Sequence, residues 1–427
     1  MEKRQSQHRD VDKLRVSKTG LQAKGLVRGN KMIIDDLFPE KGKLVLNANG
    51  KEFIERLGVE AARKVILGVL QGENIRRQTE PLTRRRVAIA TGAMVYLFAK
   101  GWAEIDGFTE KLSEQALEQM IHTTQSNKAA FWPAMWLIGL TGKSIQNVLR
   151  SNSAMRKSYI QDFENAVEEA SIRCEEDFGP ISMNLGYVMD GELKQNIRPL
   201  EWKDIARLST AIGATTFTIR GSEKSTYGKL FERLIMGSVL TILGFQHVEN
   251  AQSTKLKKVF WLSDSSGVRE CDATIRLRPG KLARFDIGFI GKGNPEIMKD
   301  KLTRYAGEIK QSGIANLSQT FIIVDRMPDT ARTVNAALRS GTEIIQMSMQ
   351  FWAIELAQKL KTRLGYDSEI LSIPEDQLSD YLERRLQPIP ILDFLNTTNT
   401  LREPVIQEEA QPYLTDAVDD DDEAFDE

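Results

Sequence analysis

Residues 269–297, RECDATIRLRPGKLARFDIGFIGKGNPEI, decide the fold. Two runs of β-branched and apolar residues, 268–278 and 282–291, flank Pro279 and Gly280, so the stretch reads as two strands joined in a hairpin. Each arm carries an aspartate, Asp272 and Asp286. On neighbouring antiparallel strands, two such carboxylates can meet on one face. Asp286 sits among Phe285, Ile287, Phe289 and Ile290, where a carboxylate without a partner is expensive. Glu270, two residues before Asp272, shares its face and is a rival or auxiliary ligand. A lone strand aspartate is more often an outward, solvated residue, so the weight rests on the pair.

Working outward, YGKLFERLIMGSVLTILGF (227–245) repeats apolar residues every three or four positions and predicts an amphipathic helix ending near Gly244. VFWL (259–262) predicts a short strand before a turn at 264–267. Downstream, a helix is expected from about Pro295 to Gln311, its proline suited to a first turn, and then a strand, TFIIVD (320–325). The order is helix, three strands, helix, strand. Phosphodiester hydrolysis requires a pentavalent oxyanion to be neutralised and a water to be activated, and paired carboxylates holding one or two magnesium ions serve both needs. Further on, DTARTVNAALRSG, EIIQMSM and FWAIELAQKLKTRLG read as helix, strand, helix extending an α/β sheet. LSIPEDQLSDYLERRL reads as a dimer or packing helix.

These elements resemble the CfrBI-type type II restriction endonucleases, a branch of the PD-(D/E)XK superfamily. The resemblance is carried by TFTIRGSEKSTYGKLFERLIMGSVLTILGF (216–245), by the 269–297 stretch and by DKLTR (300–304). It implies an α/β fold: a restriction-endonuclease-like mixed sheet flanked by helices, with an additional helical N-terminal domain. It also implies Mg2+-dependent cleavage of double-stranded DNA at a short specific sequence, a homodimer, and functional pairing with a cognate DNA methyltransferase. Carried over by position, Glu232 in FERL becomes the acid of the first core helix. Asp272 and Asp286 become the catalytic and metal-binding pair, and the main-chain carbonyl of Ile287 completes the coordination. The superfamily lysine two residues after the second acid is replaced here by Gly288. Lys292, Lys299 and Lys301 are candidates for its role, with Lys301 preferred from the match to DK. Glu296 and Asp300, one helical turn apart, are candidates for a displaced acid. The GKGN turn at 291–294 lacks the spaced glycines and the Lys-Ser/Thr ending of a P-loop.

Composition agrees with this reading. At 427 residues, 41% hydrophobic and 27% charged, the chain is an ordinary globular protein, long enough for two or three units. No apolar run is long enough for a membrane span, and the charged N-terminus lacks a signal-peptide core, so a cytoplasmic, membrane-free protein is expected. Cys174 and Cys271 stand alone, as do His8, His122 and His247, which excludes a disulfide framework and a zinc site and leaves oxygen ligands for any metal. The net charge of −1 conceals a split. Residues 405–427 hold ten acidic and no basic side chains, so residues 1–404 carry 58 basic against 49 acidic, a net of +9 that suits a polyanionic partner.

Four regions follow: a basic arm (1–45), a mostly helical domain with a candidate DNA-recognition role (46–200), the nuclease domain (201–400) and an acidic, disordered tail (401–427). Helical periods run through 53–72, 85–105, 131–152 and 155–177, whereas 179–202 reads as irregular. NIRRQTEPLTRRR places Arg76, Arg77, Arg84, Arg85 and Arg86 around a proline, read as a loop and helix start. Arginine's planar fork suits phosphates and guanine edges, so these five are candidate DNA contacts; a solvated basic turn is the plain alternative. Besides restriction, the core suits a repair or mobile-element nuclease, and Gly288 admits a catalytically inactive DNA-binding protein.

Overall fold

The computed structural model describes residues 27–28, 31–32, 34–48, 50–142, 144, 153–249, 256–263, 271–289, 318–326 and 341–395. A small ribbon, β1 (Val27–Arg28) and β2 (Lys31–Met32), precedes α1 (Ile34–Leu37), α2 (Glu40–Asn47), α3 (Gly50–Leu57) and α4 (Val59–Leu70). Then come α5 (Ile75–Glu104), α6 (Phe108–His122), α7 (Lys128–Leu137) and α8 (Ser153–Phe178). A second ribbon, β3 (Gly186–Met189) with β4 (Glu192–Gln195), leads to α9 (Trp202–Ile242). The main sheet is built from β5 (Gln246–His247), β6 (Val259–Leu262), β7 (Ala273–Arg278), β8 (Lys281–Gly288), β9 (Ser318–Val324) and β10 (Glu343–Gln346). It is closed by α10 (Trp352–Leu364), α11 (Leu378–Leu386) and a last 3-10 turn, Ile391–Leu395.

The six strands lie in the order β10-β9-β8-β7-β6-β5. The β6-β7 and β7-β8 pairs are antiparallel, and the β5-β6, β8-β9 and β9-β10 pairs are parallel. This mixed sheet flanked by helices is the restriction-endonuclease-like fold expected from the sequence. The helix expected over 295–311 lies outside the described residues, as do the 264–267 turn, the acidic tail and most of the helix expected near 329–341.

Several local expectations are corrected. The period over 53–72 is broken at Gly58, whose φ of 112° separates α3 from α4 and strains any residue with a Cβ. The arginine-rich stretch is no loop but the opening turns of α5, begun at Asn74, whose side chain accepts the Arg76 N–H at 2.8 Å. Pro81 lies within that helix. The irregular 179–202 stretch contains the β3-β4 ribbon. The basic arm expected to reach residue 45 stops short of Ile34, which with Leu37 and Phe38 is buried in a core.

The largest difference is α9. The helix expected over 227–245 is the C-terminal half of one helix of 41 residues that begins at Trp202 and ends at Ile242. Its start is fixed by a capping box in which Glu201 and Asp204 satisfy each other's main-chain N–H groups. The β-branched TTFTI run within it is poor helix material, but the hydroxyls of Thr215, Thr216 and Thr218 donate to the carbonyls of Ala211, Ile212 and Ala214. Burial of Ala211, Ala214, Thr215 and Ile219 offsets the propensity.

Two apolar cores share α5 and α9. One combines α1, α2, α6 and α7 with the C-terminal part of α5 and the N-terminal part of α9. The other joins α3, α4 and the start of α5 to the C-terminal part of α9, the sheet, α10 and α11. The boundary expected at residue 200 therefore coincides with neither core: residues 53–82 pack with the nuclease sheet, and it is within the two long helices that the cores part.

A charged tie holds the first core together. Arg207 of α9, 4% exposed, donates from Nη1 to Glu164 Oε1 of α8 at 2.6 Å and also bonds Ser113 of α6. The guanidinium and Ser113 hold the Glu164 carboxyl below its usual range against the opposing effect of burial. Glu164→Ala leaves the arginine buried without its counter-charge, and the expected loss is about 3 kcal/mol, read as a lowered thermal midpoint; an unchanged midpoint would refute the assignment.

At the sheet edge, the His247 ring packs against Phe260 and Phe394 at centroid distances of 5.1 and 5.3 Å. Burial first, then the Arg233 charge, pushes its pKa below the usual value. The unfolded chain takes up a proton at about pH 6.5 whereas the folded chain resists it. This contribution to stability is therefore complete above that pH and declines as the pH falls through it. His247→Phe should flatten the fall of the melting temperature between roughly pH 7.5 and pH 5.5; an identical slope in the two proteins rules the assignment out.

Candidate active site

The register of the β7-β8 hairpin places the two aspartates together. Ala273 pairs with Phe285 and Thr274 with Arg284, so the next step outward sets Asp272 opposite Asp286. Residues directly opposite in an antiparallel pair have Cβ atoms about 4.5–5.5 Å apart and share a face. Phe285 and Ile287 point into the second core with α9, so strand alternation puts Asp286 on the other face of the sheet, half-buried.

Asp272 is oriented by the neighbouring strand. Its Oδ2 accepts the main-chain N–H of Ile287 at 2.8 Å. The N–H and C=O of one strand residue point to the same side, so the Ile287 carbonyl also points toward β7 and Asp272. The next residue points the opposite way: the Gly288 carbonyl accepts the Asp325 N–H at 3.3 Å across the β8-β9 ladder. The end of β7 and β8 thus carries one carboxylate held by a main-chain N–H, a second aspartate one register step beyond the last ladder pair, and a strand carbonyl turned toward β7. Among the described residues no group of three or more His, Cys, Asp or Glu side chains forms a metal cluster. A hard cation such as Mg2+ commonly takes one or two carboxylates and fills its remaining positions with water and substrate phosphate, so this donor set fits it.

Glu232 lies half-buried on α9, one residue before Arg233. Arg233 donates to the carbonyl of Ser263 at 2.7 Å, and the Ser263 N–H donates to the carbonyl of Asp272 at 3.1 Å. That turn of α9 therefore passes the Asp272 end of the sheet. Glu296 and Lys301, with Lys292, Lys299, Asp300 and Glu270, lie outside the described residues.

The five arginines separate. Arg86 is 3% exposed, its guanidinium lies 5.2 Å from the Phe53 ring centroid, and Nη1 donates to Ser222. A group enclosed in this way cannot reach DNA, so its place in the recognition set is withdrawn; α5 turns its inner face at every third or fourth residue, and Arg86 falls on it. Arg85 is exposed but donates to the Leu57 carbonyl at 2.8 Å, closing the α3-α4 corner. Arg84 pairs with Glu80 one turn earlier. Arg76 and Arg77 are exposed in the first turn of α5.

The structure brings Arg76 near a residue that sequence reasoning missed. Asp325, just past β9, is linked to β8 by its own N–H and to the β10 loop through the Ser348 N–H, which donates to its carbonyl at 3.2 Å. Burial raises its pKa, against the charges of Arg326 and Arg76. The α4-α5 turn reaches this end of the sheet because Gly72, with φ 92°, lies so close to the β10 loop that a Cβ would come 2.7 Å from the Met349 carbonyl oxygen. The only sequence signal for Asp325 was an acid ending an apolar strand.

A six-stranded mixed sheet flanked by helices, with two carboxylates opposed at a hairpin end, is the architecture of a restriction-endonuclease-like protein. The sequence model of the CfrBI restriction endonuclease family matches residues 59–332, and this chain belongs to that family. The type II restriction enzyme CfrBI of Citrobacter freundii is 30% identical over 364 residues, covering 84% of this chain and 97% of that enzyme. No solved structure matches. Among the described residues no helix is long and apolar enough to cross a membrane.

Proposed function

We propose that this chain is a Mg2+-dependent type II endonuclease that cuts both strands of DNA at a short specific sequence. The observation that carries the reading is the hairpin register that sets Asp272 across from Asp286, with the Asp272 carboxylate held by the Ile287 N–H at 2.8 Å. Asp272 and Asp286 would hold Mg2+, with the Ile287 carbonyl available to it. When bound, the ion supplies charge neutralisation for the developing phosphorane and lowers the pKa of the attacking water. The protein's part is to present both carboxylates at a strand end, with Asp272 held by the Ile287 N–H. Glu232 acts beside the pair from α9. Gly288 offers no side chain, so the orientation of the water and the steadying of charge fall to Lys301, with Glu296 as an accessory acid on the same segment.

Arg76 and Arg77 serve as phosphate contacts at the end of the sheet that carries Asp286, with Arg84 and Arg85 on the same helix as weaker contributors because each already has a partner. The double substitution Arg76→Ala/Arg77→Ala is expected to weaken DNA binding across all sequences and to reduce the salt slope by about two. A change confined to one base position would overturn this role. The enzyme acts as a homodimer on a symmetric site, in the cytoplasm, alongside a methyltransferase that protects host DNA.

The deciding experiment incubates the purified chain with long DNA of known sequence, with and without Mg2+. Discrete Mg2+-dependent fragments with mappable ends support the reading. Random degradation points to a nuclease of the repair or mobile-element kind, and DNA bound but intact at every metal tested points to an inactive binding protein.

A further inference from the structure

Arg233 has no part in the roles above, yet it joins three segments that are far apart in sequence. From α9 its Nε donates to the Phe394 carbonyl at 3.0 Å and its Nη1 to the Ser263 carbonyl at 2.7 Å. Ser263 directly follows β6, and its N–H donates to the Asp272 carbonyl at 3.1 Å. Asp272 in turn accepts the Ile287 N–H on its carboxylate at 2.8 Å. A continuous line of hydrogen bonds therefore runs from the guanidinium, through the end of β6, to a proposed metal ligand.

We propose that Arg233 is a positioning residue for the metal site: by gripping Ser263 it fixes the main chain of Asp272 and so the aim of its carboxylate. This rests on the assignment of Asp272 and Asp286 as the metal-binding pair. Three features favour arginine here. A charged donor makes shorter and stronger hydrogen bonds than a neutral one. The planar fork satisfies two carbonyls in a fixed geometry, which a lysine ammonium on a flexible stem does not reproduce. The helix that carries it is anchored in both cores, so the grip is referred to the rigid body of the protein rather than to a loop. Asp272 itself lies just before β7 begins, where the sheet ladder constrains it less than it does Asp286.

The test uses the full chain and four proteins: wild type, Arg233→Met, Arg233→Lys and Asp272→Asn. Mn2+ binding is followed by electron spin resonance without DNA, and the Mg2+ midpoint for cleavage is measured on a duplex carrying the mapped site. Arg233→Met is expected to weaken Mn2+ binding and raise the Mg2+ midpoint about 10–100-fold, with the rate recovering at saturating Mg2+ and metal-free DNA binding unchanged. Arg233→Lys should fall between it and wild type. A folded Arg233→Met protein with wild-type metal affinity and midpoint overturns the proposal, as does a reduced rate at an unchanged midpoint. Should Arg233→Met fail to fold, Arg233→Lys decides by the same criterion. Wild-type metal binding and cleavage in Asp272→Asn would instead refute the underlying site assignment, and the proposal with it.

Discussion

Asp286→Asn is expected to slow DNA cleavage by at least about a thousandfold, equivalent to about 4 kcal/mol of transition-state stabilisation, and to leave DNA binding in place. Asparagine keeps the shape of the side chain and removes one of the two carboxylates placed across the β7-β8 hairpin by its register. The fold should tolerate the change, because Asp286 is half-buried and lies on the sheet face opposite the large core formed with α9. Single-turnover cleavage together with gel shifts in the absence of divalent metal separates the two effects. Wild-type cleavage by the variant would sink the assignment. Loss of binding and cleavage together, with a lowered melting temperature, would show that the aspartate serves the fold.

The second large effect is expected in stability. Trp352→Ala should cost about 3–5 kcal/mol, read as a fall in thermal and denaturant midpoints. Trp352 is 1% exposed in the sheet-bearing core, and its indole N–H donates to the Val69 carbonyl at 2.8 Å. The substitution removes a large apolar side chain and also leaves a carbonyl at the end of α4 without that donor. Since α4 and α10 are nearly three hundred residues apart in sequence, the outcome also tests whether the N-terminal helices are integral to the nuclease unit. A loss below roughly 1 kcal/mol would mean that they dock only loosely.

Much of the sheet was legible because its signals are local. VFWL is β6 as expected, the Pro279-Gly280 turn joins β7 to β8, and TFIIVD lies within and just beyond β9. EIIQMSM and FWAIELAQKLKTRLG contain β10 and α10. Apolar runs of strand length bounded by turn residues carry their own punctuation. The aspartate pair was legible for the same reason, since a hairpin fixes which residues of its two arms face one another. The β3-β4 ribbon was not legible, because its strands are four residues each and mostly exposed, with too little apolar alternation to register.

By itself the sequence determined the α/β class and the hairpin that sets Asp272 across from Asp286, both matters of spacing within a few dozen residues, while the departure at Gly288 shows only against the family the sequence resembles. Only the tertiary structure decided that Trp202–Ile242 is a single helix, that α3 and α4 belong to the sheet's core, that Arg86 is enclosed while Arg76 is exposed, its charge acting on Asp325, and that Arg233 grips the strand end at Asp272. The physical reason is distance along the chain. Periodicity reports which face of an element is apolar, but not what will cover it, and a basic or β-branched stretch takes its conformation from partners that only folding brings beside it.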